Sequence, residues 1–318
     1  MGRYILRRIF IAMPILLAIT FIIFSLQQLT PGDPLNAYLP PDFPVPEAQK
    51  EALRKQLGLD QPFLTRYGYW LRETVQGNLG TRSKTYEPVT EAISARVGAT
   101  LLLMGTAVVI GTILGVGFGM LAAVRQYSIL DGLLTIFAFL GISMPVYLTG
   151  LLGLYIFALR FDWFPAGGYS TAGQPFALGD RLHHLVLPAI IIAINYIAQT
   201  MRYTRSAMLE VLGQDYVRTA RAKGLDDRIV ISRHALRNAL LPIVTIIGAY
   251  IPNLLGGAIF IESIFGWPGL GRLLLDGVES RDFPLIMGLT LILAIVILAV
   301  NIVTDVAYAL VDPRIRFD

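Results

Sequence analysis

The sequence contains no cysteine and only three histidines, which removes several kinds of site. Without cysteine, disulfides and thiolate-ligated metals are excluded, although the redox compartment stays undetermined. The histidines are His183, His184 and His234, an adjacent pair and one distant residue. This spacing does not match that of metal ligands, so we expect no metal site.

Charged residues are also scarce, at 15% of the 318 residues, while apolar residues make up 55%. A soluble globular protein has about 25% charged residues. The deficit falls in long apolar runs, and the mean hydropathy is +0.62. This pattern is typical of a chain that is solvated by lipid. The net charge of +4 then bears on orientation in the membrane rather than on a nucleic-acid partner.

A third absence is the phosphate-binding pattern Gly-x-x-x-x-Gly-Lys-Ser/Thr, so we expect this chain neither to bind nor to hydrolyse ATP. The sequence also has no recognisable pairing of a nucleophile with a base. We therefore expect no catalytic residue and no cofactor bound by this chain.

Six apolar runs are long enough to cross a bilayer as helices, which predicts an all-α membrane protein with six transmembrane helices. The runs lie at about residues 9–26, 100–124, 132–159, 185–200, 240–260 and 285–310. The fourth run is short, and a helix there could extend past Arg202. No cleavage site of small residues follows the first run, so we expect it to be a retained helix. Pro145 and Pro252 remove helical hydrogen bonds inside the third and fifth runs and predict kinks there.

These runs divide the chain into three parts. Residues 1–29 form the N-terminus and first helix, 30–99 an external helical segment, and 100–318 a five-helix core with a cytoplasmic loop at 202–240. Lysine and arginine concentrate in segments that are cytoplasmic if both termini are cytoplasmic. The two short outer loops carry only Arg160, Arg181, Arg272 and Arg281. This asymmetry satisfies the positive-inside rule.

The external segment contains signals for packed helices. Residues 47–57 form an amphipathic pattern that Gly58 ends, and Tyr67, Tyr69 and Trp70 form an aromatic cluster suited to a membrane interface. In the second run, glycines recur every four residues and predict close packing of helices: Gly111, Gly115 and Gly119. Asp282 precedes Pro284 and predicts an N-cap for the sixth helix.

The loop at 202–240 is basic, helix-prone and too polar to enter the membrane. Asp215 is a good N-cap for a short helix, and Gly224 is a good C-terminal stop. Lys223 lies in the last turn, where the helix dipole favours a cation. The sequence therefore predicts a short, capped, basic helix on the cytoplasmic side.

This helix resembles the coupling loop of ABC-importer permeases, and more narrowly that of the dipeptide, oligopeptide, glutathione and nickel permeases. The matching residues include Tyr216, Arg218, Thr219, Ala220, Arg221, Ala222, Lys223 and Gly224. Further matching segments cover nearly the whole chain: 31–34 (PGDP), 57–62 (LGLDQP), 233–242 (RHALRNALLP), 265–271 (FGWPGLG) and 312–316 (DPRIR).

One departure narrows the resemblance. The general importer pattern has Glu-Ala-Ala before its glycine, whereas Arg218, Thr219 and Ala220 occupy those places before Gly224 here. This difference is similar to the peptide subfamily rather than to sugar or phosphate permeases. It argues against any role that needs the acidic residue.

The resemblance implies a type I ABC importer permease in a bacterial or archaeal plasma (inner) membrane. It implies that the short helix sits in a cleft on a cytoplasmic ATPase subunit. Two such subunits bind ATP and Mg²⁺, and their closure drives the membrane helices from inward-open to outward-open. It also implies an external substrate-binding protein and a second homologous permease, most often as a heterodimer. Arg218, Arg221 and Lys223 would pair with acidic residues of the ATPase, and Ala220 and Gly224 would allow close backbone approach.

Candidate pathway or gate residues lie in two places. Ser143, Met144 and Pro145 surround the predicted kink of the third run. The others belong to the fifth run and its outer end: Asn253, Glu262 and Ser263. Glu262 and Ser263 precede a Gly/Pro turn and are equally compatible with an outer gate and with an interfacial loop. Intramembrane polar groups usually face the bundle or a wet cavity.

Other readings of the sequence stay open. Among permeases of this kind, the cargo could be nickel or glutathione, although no acidic cluster suited to a divalent cation lies in the runs. An ion-coupled secondary transporter would need intramembrane carboxylates or broken helices around a midplane ion site. Asp305 is too near the cytoplasmic end to serve that purpose well.

Overall fold

The computed structural model of the chain describes residues 2–29, 35, 45–56, 58–240, 256 and 258–311. The helices are α1 Gly2–Leu29, α2 Glu47–Gln56, α3 Phe63–Val75, α4 Val89–Val124, α5 Ile129–Ser143, α6 Val146–Gly153, α7 Leu178–Leu212, α8 Asp215–Ala222, α9 Asp227–Ile229, α10 Leu270–Ser280 and α11 Phe283–Val311. π-helical turns extend α6 over Leu154–Arg160 and α9 over Val230–Leu236. Residues 237–240 and 258–264 are also helical.

Several described helices suit a bilayer. α4, α7 and the Phe283–Thr304 part of α11 are each long and apolar enough to cross it alone. α5 and α6 with its π-helical extension form a further candidate span, and α1 has an apolar stretch at Phe10–Leu26. Most of the predicted fifth run, including Pro252 and Asn253, lies outside the described residues.

Two spans begin or end beyond their predicted limits. α4 begins at Val89 because Pro88 suits a helix N-terminus and because Ala92 and Ile93 extend the buried apolar face. α7 continues to Leu212, and Met208 in its last turns remains fully buried. The continuation of α7 past Arg202 was expected from the sequence, whereas hydropathy alone missed the early start of α4. Helix length here depends on packing as well as on the apolar run.

The third predicted span is broken rather than kinked. The helical segments Ile129–Ser143 and Val146–Arg160 differ in direction by 108°. Met144 is extended, with φ −80° and ψ 128°, as the residue before a proline prefers. Pro145 therefore ends α5 and starts a new helix.

The described residues form two compact units. The core unit holds residues 99–271 and the chain end from Ala299, and the N-terminal unit holds residues 2–98 and 272–298. In the core unit, α7 is central, since 72% of its most apolar stretch is buried against 33% for α4. A Cβ added at Gly115 would lie 2.6 Å from Thr200 Cβ, and one at Gly119 would lie 2.5 Å from Thr204 Cβ. The predicted glycine stripe is thus confirmed as the packing face of α4 on α7.

In the N-terminal unit, α3 packs onto α1. The aromatic cluster predicted for the interface is partly turned inward: the Tyr67 ring contacts Phe21 and Phe24, and its hydroxyl bonds the Thr20 hydroxyl at 2.9 Å. α2 ends at Gln56 before Gly58, whose φ of +63° confirms the predicted stop.

Asp282 caps α11, as predicted, and also makes a second connection. Its carboxylate accepts from the Leu285 N–H at 3.4 Å, from the Ser83 N–H at 3.1 Å and from Arg82 Nε at 3.2 Å. Asp282 is almost fully buried. The same side chain therefore starts α11 and holds the turn before α4.

Candidate functional site

The basic loop folds as a short helix on an apolar base. The α8 side chains of Val217 and Ala220, three residues apart, face inward and are buried. They pack against Val230 and against Val211 and Leu212 at the end of α7. α8 is therefore supported by its own chain and does not need a partner to hold its position.

The ends of α8 follow the predicted signals in part. Gly224 has φ +78°, and an added Cβ would meet nothing within 4 Å. The residue is glycine because of its left-handed backbone and not because space is short. Gln214, rather than Asp215, occupies the N-cap position, and its side chain makes no capping bond. Asp226 caps the next helix by accepting from the Arg228 N–H at 2.7 Å.

Exposure separates the predicted docking residues into two groups. One group is exposed and forms a continuous outer surface of the loop: Tyr216, Arg218, Thr219, Arg221, Ala222, Lys223 and Gly224. Ala220 points inward with only 7% exposure, so it seats the helix and does not offer a close approach to a partner. The spacing of Val217 and Ala220 was the local signal for this inward face.

The basic side chains of this surface have weak partners within the chain. Arg221 Nε lies 2.9 Å from an Asp227 oxygen, and Arg218 Nη1 lies 3.5 Å from an Asp215 oxygen. Exposed pairs of this kind contribute about 0–1 kcal/mol. The arginines can therefore exchange these partners for acidic groups on another protein at little cost. Among the described residues, Lys223 forms no ion pair.

At the break between α5 and α6, a side chain from α7 replaces a missing main-chain bond. Pro145 cannot donate to the Gly141 carbonyl, because proline has no amide hydrogen. Asn195 Nδ2 donates to that carbonyl instead, at 3.0 Å. Ser143 and Pro145 are exposed at the bend, and Met144 is half-buried.

A buried ion pair joins the start of α5 to α7. Arg205 Nε and Nη2 donate to the two Asp131 oxygens, both at 2.8 Å. The Asp131 carboxylate also accepts from the Tyr127 N–H at 3.0 Å. This two-point geometry fixes the angle between the two side chains as well as their distance.

Glu262 holds the segment that follows residues 258–264 in place. This carboxylate is fully buried and accepts from the Thr100 hydroxyl and from the Gly271 N–H, both at 2.7 Å. The Gly271 N–H belongs to the first turn of α10, where a helix favours negative charge. A Cβ at Gly269 would collide with the Glu262 carboxylate, so only glycine fits there.

Trp267 holds the same segment from its other side. It is fully buried, and its Nε1 donates to the Ala99 carbonyl at 2.9 Å. The Tyr169 ring meets it edge-on at 4.8 Å between centroids, and the Gly168 N–H donates to the Phe265 carbonyl at 2.7 Å. The motif at 265–271 therefore forms a turn that is held by contacts with residues 99, 168 and 169.

The candidate gate residues therefore differ in environment. Glu262 is fully buried, while the adjacent Ser263 is exposed. The bend and this segment do come together, since a Cβ at Gly150 of α6 would lie 2.7 Å from Ile261 Cδ1. Asn253 lies outside the described residues.

Sequence reasoning did not single out Thr100, the Trp267 indole or the Asp131–Arg205 pair. No local pattern links Thr100 to a residue 162 positions away. Asp131 did carry a signal, because a carboxylate in the first turn of an apolar helix needs a partner. Among the described residues, no group of three His, Cys, Asp or Glu could hold a metal ion.

Comparisons with known proteins place these features in a family context. Residues 115–317 match the family described as binding-protein-dependent transport system inner membrane component, and residues 1–103 match its N-terminal counterpart. The oligopeptide transport system permease protein AppB of Bacillus subtilis is 42% identical over 318 residues, covering 100% of each chain. A Brucella suis protein named as a peptide permease is 51% identical over 317 residues, covering 99% of each chain.

Among solved structures, an inward-facing form of the MetNI methionine ABC transporter has a similar fold. The TM-score is 0.53 at 15% identity, and the match covers 70% of this chain and 97% of that chain. At this identity the likeness concerns the fold alone.

Proposed function

The chain belongs to the family of binding-protein-dependent transport system inner membrane components, and from this membership we propose that it is the permease subunit of an ATP-driven importer of peptides. It has the type I ABC importer permease fold and is a transport subunit rather than an enzyme. The names of the relatives AppB and the Brucella suis permease support a peptide cargo.

The observation that carries the proposal is the loop at 213–229. It offers an exposed basic helix that is seated on Val217, Ala220 and Val230 and tied to the end of α7. A helix with its own apolar base transmits a push as a rigid body, whereas an unsupported loop would absorb it. We propose that the exposed face of α8 docks on ATPase subunits with acidic clefts.

The contacts of α7 support a route for this force. α7 carries the base of α8 at one end, pairs with α5 through Arg205 and Asp131, and bonds the carbonyl at the α5–α6 break through Asn195. A displacement of α8 would therefore reach the bend through side chains with fixed geometry. We propose that Ser143, Met144, Pro145, Asn253 and Ser263 lie on or beside the pathway that this movement opens, and that Glu262 positions the outer segment there.

The partners follow from the same proposal. They are two cytoplasmic ATPase subunits that bind ATP and Mg²⁺, an external peptide-binding protein and a second, homologous permease that makes a heterodimer. The chain spans the cell inner membrane with both termini in the cytoplasm.

Reconstitution tests this function. The chain is incorporated into vesicles with the second permease, ATPases and binding protein encoded beside it, and uptake of labelled dipeptides and pentapeptides is measured. We expect uptake that needs ATP and the binding protein and that nickel or glutathione does not inhibit. Uptake that follows an ion gradient without ATP, or that is specific for nickel, would overturn the proposal.

Charge reversal tests the docking surface. Arg218→Glu with Lys223→Glu should abolish co-purification of the ATPases, because two attractive contacts become repulsive. Arg160→Glu, an exposed arginine far along the chain from the loop, is the matched control and should not change it. Unchanged co-purification in the double variant would refute docking through this face.

A further inference from the structure

A cavity of about 400 Å³ opens within the N-terminal unit. Its apolar wall includes Phe24 of α1, Leu79, and Phe283 and Met287 of α11. Residues of α3 also line the cavity: Arg66, Tyr69, Trp70 and Glu73. The volume falls within the range of about 300–1,000 Å³ that is typical of small-molecule sites.

The cavity lies where two apolar helices leave the bilayer. Phe24 is close to the end of the apolar stretch Phe10–Leu26, and Phe283 is the first residue of the apolar stretch Phe283–Thr304. The ends of two spanning stretches must lie at a membrane surface, because the stretches themselves occupy the hydrocarbon layer. The cavity is therefore at the level of lipid head groups.

One face of α3 supplies polar groups to the cavity. Arg66, Trp70 and Glu73 are spaced i, i+4 and i+7, which places them in a row on the helix. Trp70 Nε1 is buried and, among the residues that the structure describes, has no hydrogen-bond partner. A buried N–H without an acceptor is rare in proteins, and a water molecule, an ion or a ligand can satisfy it.

The two charged residues of this row have opposite signs. The Arg66 guanidinium lies over the Phe24 ring at 5.8 Å, and its burial lowers its pKa, as expected for a cation partly withdrawn from water. Glu73 accepts from Asn78 Nδ2 at 2.9 Å and retains further acceptor capacity. The site thus offers donors at one end and an acceptor at the other.

We propose that this cavity binds the head group of a zwitterionic phospholipid. Its phosphate oxygens accept hydrogen bonds from Trp70 and Arg66, and its ammonium group approaches Glu73. The acyl chains leave along α1, where Ile22 and Leu26 are more than half exposed. A purely anionic head group is disfavoured, because Glu73 would repel it.

Photo-crosslinking in lipid nanodiscs tests the proposal with the full chain and its associated subunits. The probe is a phosphatidylethanolamine with a diazirine near the glycerol end of one acyl chain, and labelled peptides are identified by mass spectrometry. We expect labels within residues 56–80 and 283–287, reduced by unlabelled phosphatidylethanolamine but much less by phosphatidylglycerol. Equal competition by both lipids would contradict recognition of a zwitterion.

Two substitutions test the contacts. Trp70→Phe removes the N–H and keeps a ring, and Arg66→Gln removes the charge. Each should lower labelling about three- to tenfold, the effect of losing one hydrogen bond. Trp163→Phe and Arg72→Gln, which line no part of the cavity, should leave labelling unchanged. Thermal melting identifies any variant that has lost its fold, and an Arg66→Lys variant should regain part of the signal.

Three further outcomes would overturn the proposal. One is undiminished labelling in both Trp70→Phe and Arg66→Gln. Another is full competition by soluble glycerophosphoethanolamine, which would indicate a site for a free phosphate ester. The last is full competition by a dipeptide, which would indicate a peptide site.

Discussion

The Asn195 side-chain amide donates to the Gly141 carbonyl at 3.0 Å, across 54 residues of sequence. In a continuous helix that carbonyl would accept from residue 145, which is proline and has no N–H. α7 therefore completes the hydrogen bonding of α5 at the point where the chain turns by 108°. A break inside a membrane segment is tolerable only when the freed groups find partners in this way.

This relationship predicts a conditional effect of Asn195→Ala. The variant should lose about 1–3 kcal/mol of stability, because the Gly141 carbonyl is left without a donor. In a Pro145→Ala background the same substitution should cost less, since residue 145 regains an N–H. Unfolding in detergent, measured for the four combinations, gives the coupling energy. Equal costs in both backgrounds would show that Asn195 acts through other contacts.

The Arg205–Asp131 pair predicts that the stability losses caused by substituting each residue are not additive. Asp131→Asn leaves the partly buried guanidinium of Arg205 without its counter-charge. Breaking a buried pair in this way costs about 3–5 kcal/mol of stability. We expect a loss near the lower end, because the Arg205 side chain keeps 28% exposure. Arg205→Met should have a similar cost, and the double variant should cost clearly less than the sum. Arg125→Gln, an exposed arginine before α5, is the control and should have little effect.

The buried contacts of Glu262 predict that substitutions at Glu262, Gly269 and Ser263 differ in their effect on stability. Glu262→Gln should cost about 1.5–3 kcal/mol, the value of hydrogen bonds to a charged group. Gly269→Ala should destabilise as well, because the new methyl group would displace the carboxylate. Ser263→Ala, at an exposed neighbour, should stay within about 0.5 kcal/mol. Thermal melting and peptide uptake are measured together, and an equal loss for Ser263→Ala would remove the special role of Glu262.

The left-handed backbone of Gly224 predicts a substitution that leaves folding intact but weakens the coupling of ATP hydrolysis to uptake. Gly224→Val forces a branched residue into a left-handed conformation at a cost of about 1–2 kcal/mol, which should disturb the end of α8 but not membrane insertion. Gly224→Asn is the matched control, because asparagine tolerates this conformation. We expect the valine variant to hydrolyse ATP with reduced uptake and the asparagine variant to behave nearly normally. Normal uptake in both would refute a coupling role for this turn.

A substitution at the buried Ala220 should also disturb α8, through overpacking rather than through backbone strain. Its methyl group is buried between α8 and Val230, so Ala220→Phe should overpack this base at a cost of about 1–3 kcal/mol. The surface of the loop would change indirectly, through displacement of the whole helix. Ala222→Phe, at an exposed position of the same helix, is the control for the added bulk. Hydrogen exchange of residues 213–230 should rise only in the first variant.

The features that the sequence predicted share a local origin. The apolar runs, the stops at Gly58 and Gly224, the cap at Asp282 and the glycine stripe of α4 each depend on residues within a few turns of one another. Hydropathy, backbone strain and helix periodicity are properties of a short stretch of chain. They determined the membrane class, the capped basic helix and, through the shared motifs, the family.

The tertiary structure decided what the polar side chains do. Glu262 could have faced a pathway or a loop, and only the approach of Thr100, 162 residues away, made it a buried fastener. In the same way, packing of α7 against α5 selected Arg205 for Asp131 over 74 residues and Asn195 for the Gly141 carbonyl. Within a low-dielectric bundle an unpaired buried polar group is costly, and which partner such a group finds depends on how the helices pack rather than on their order in the chain.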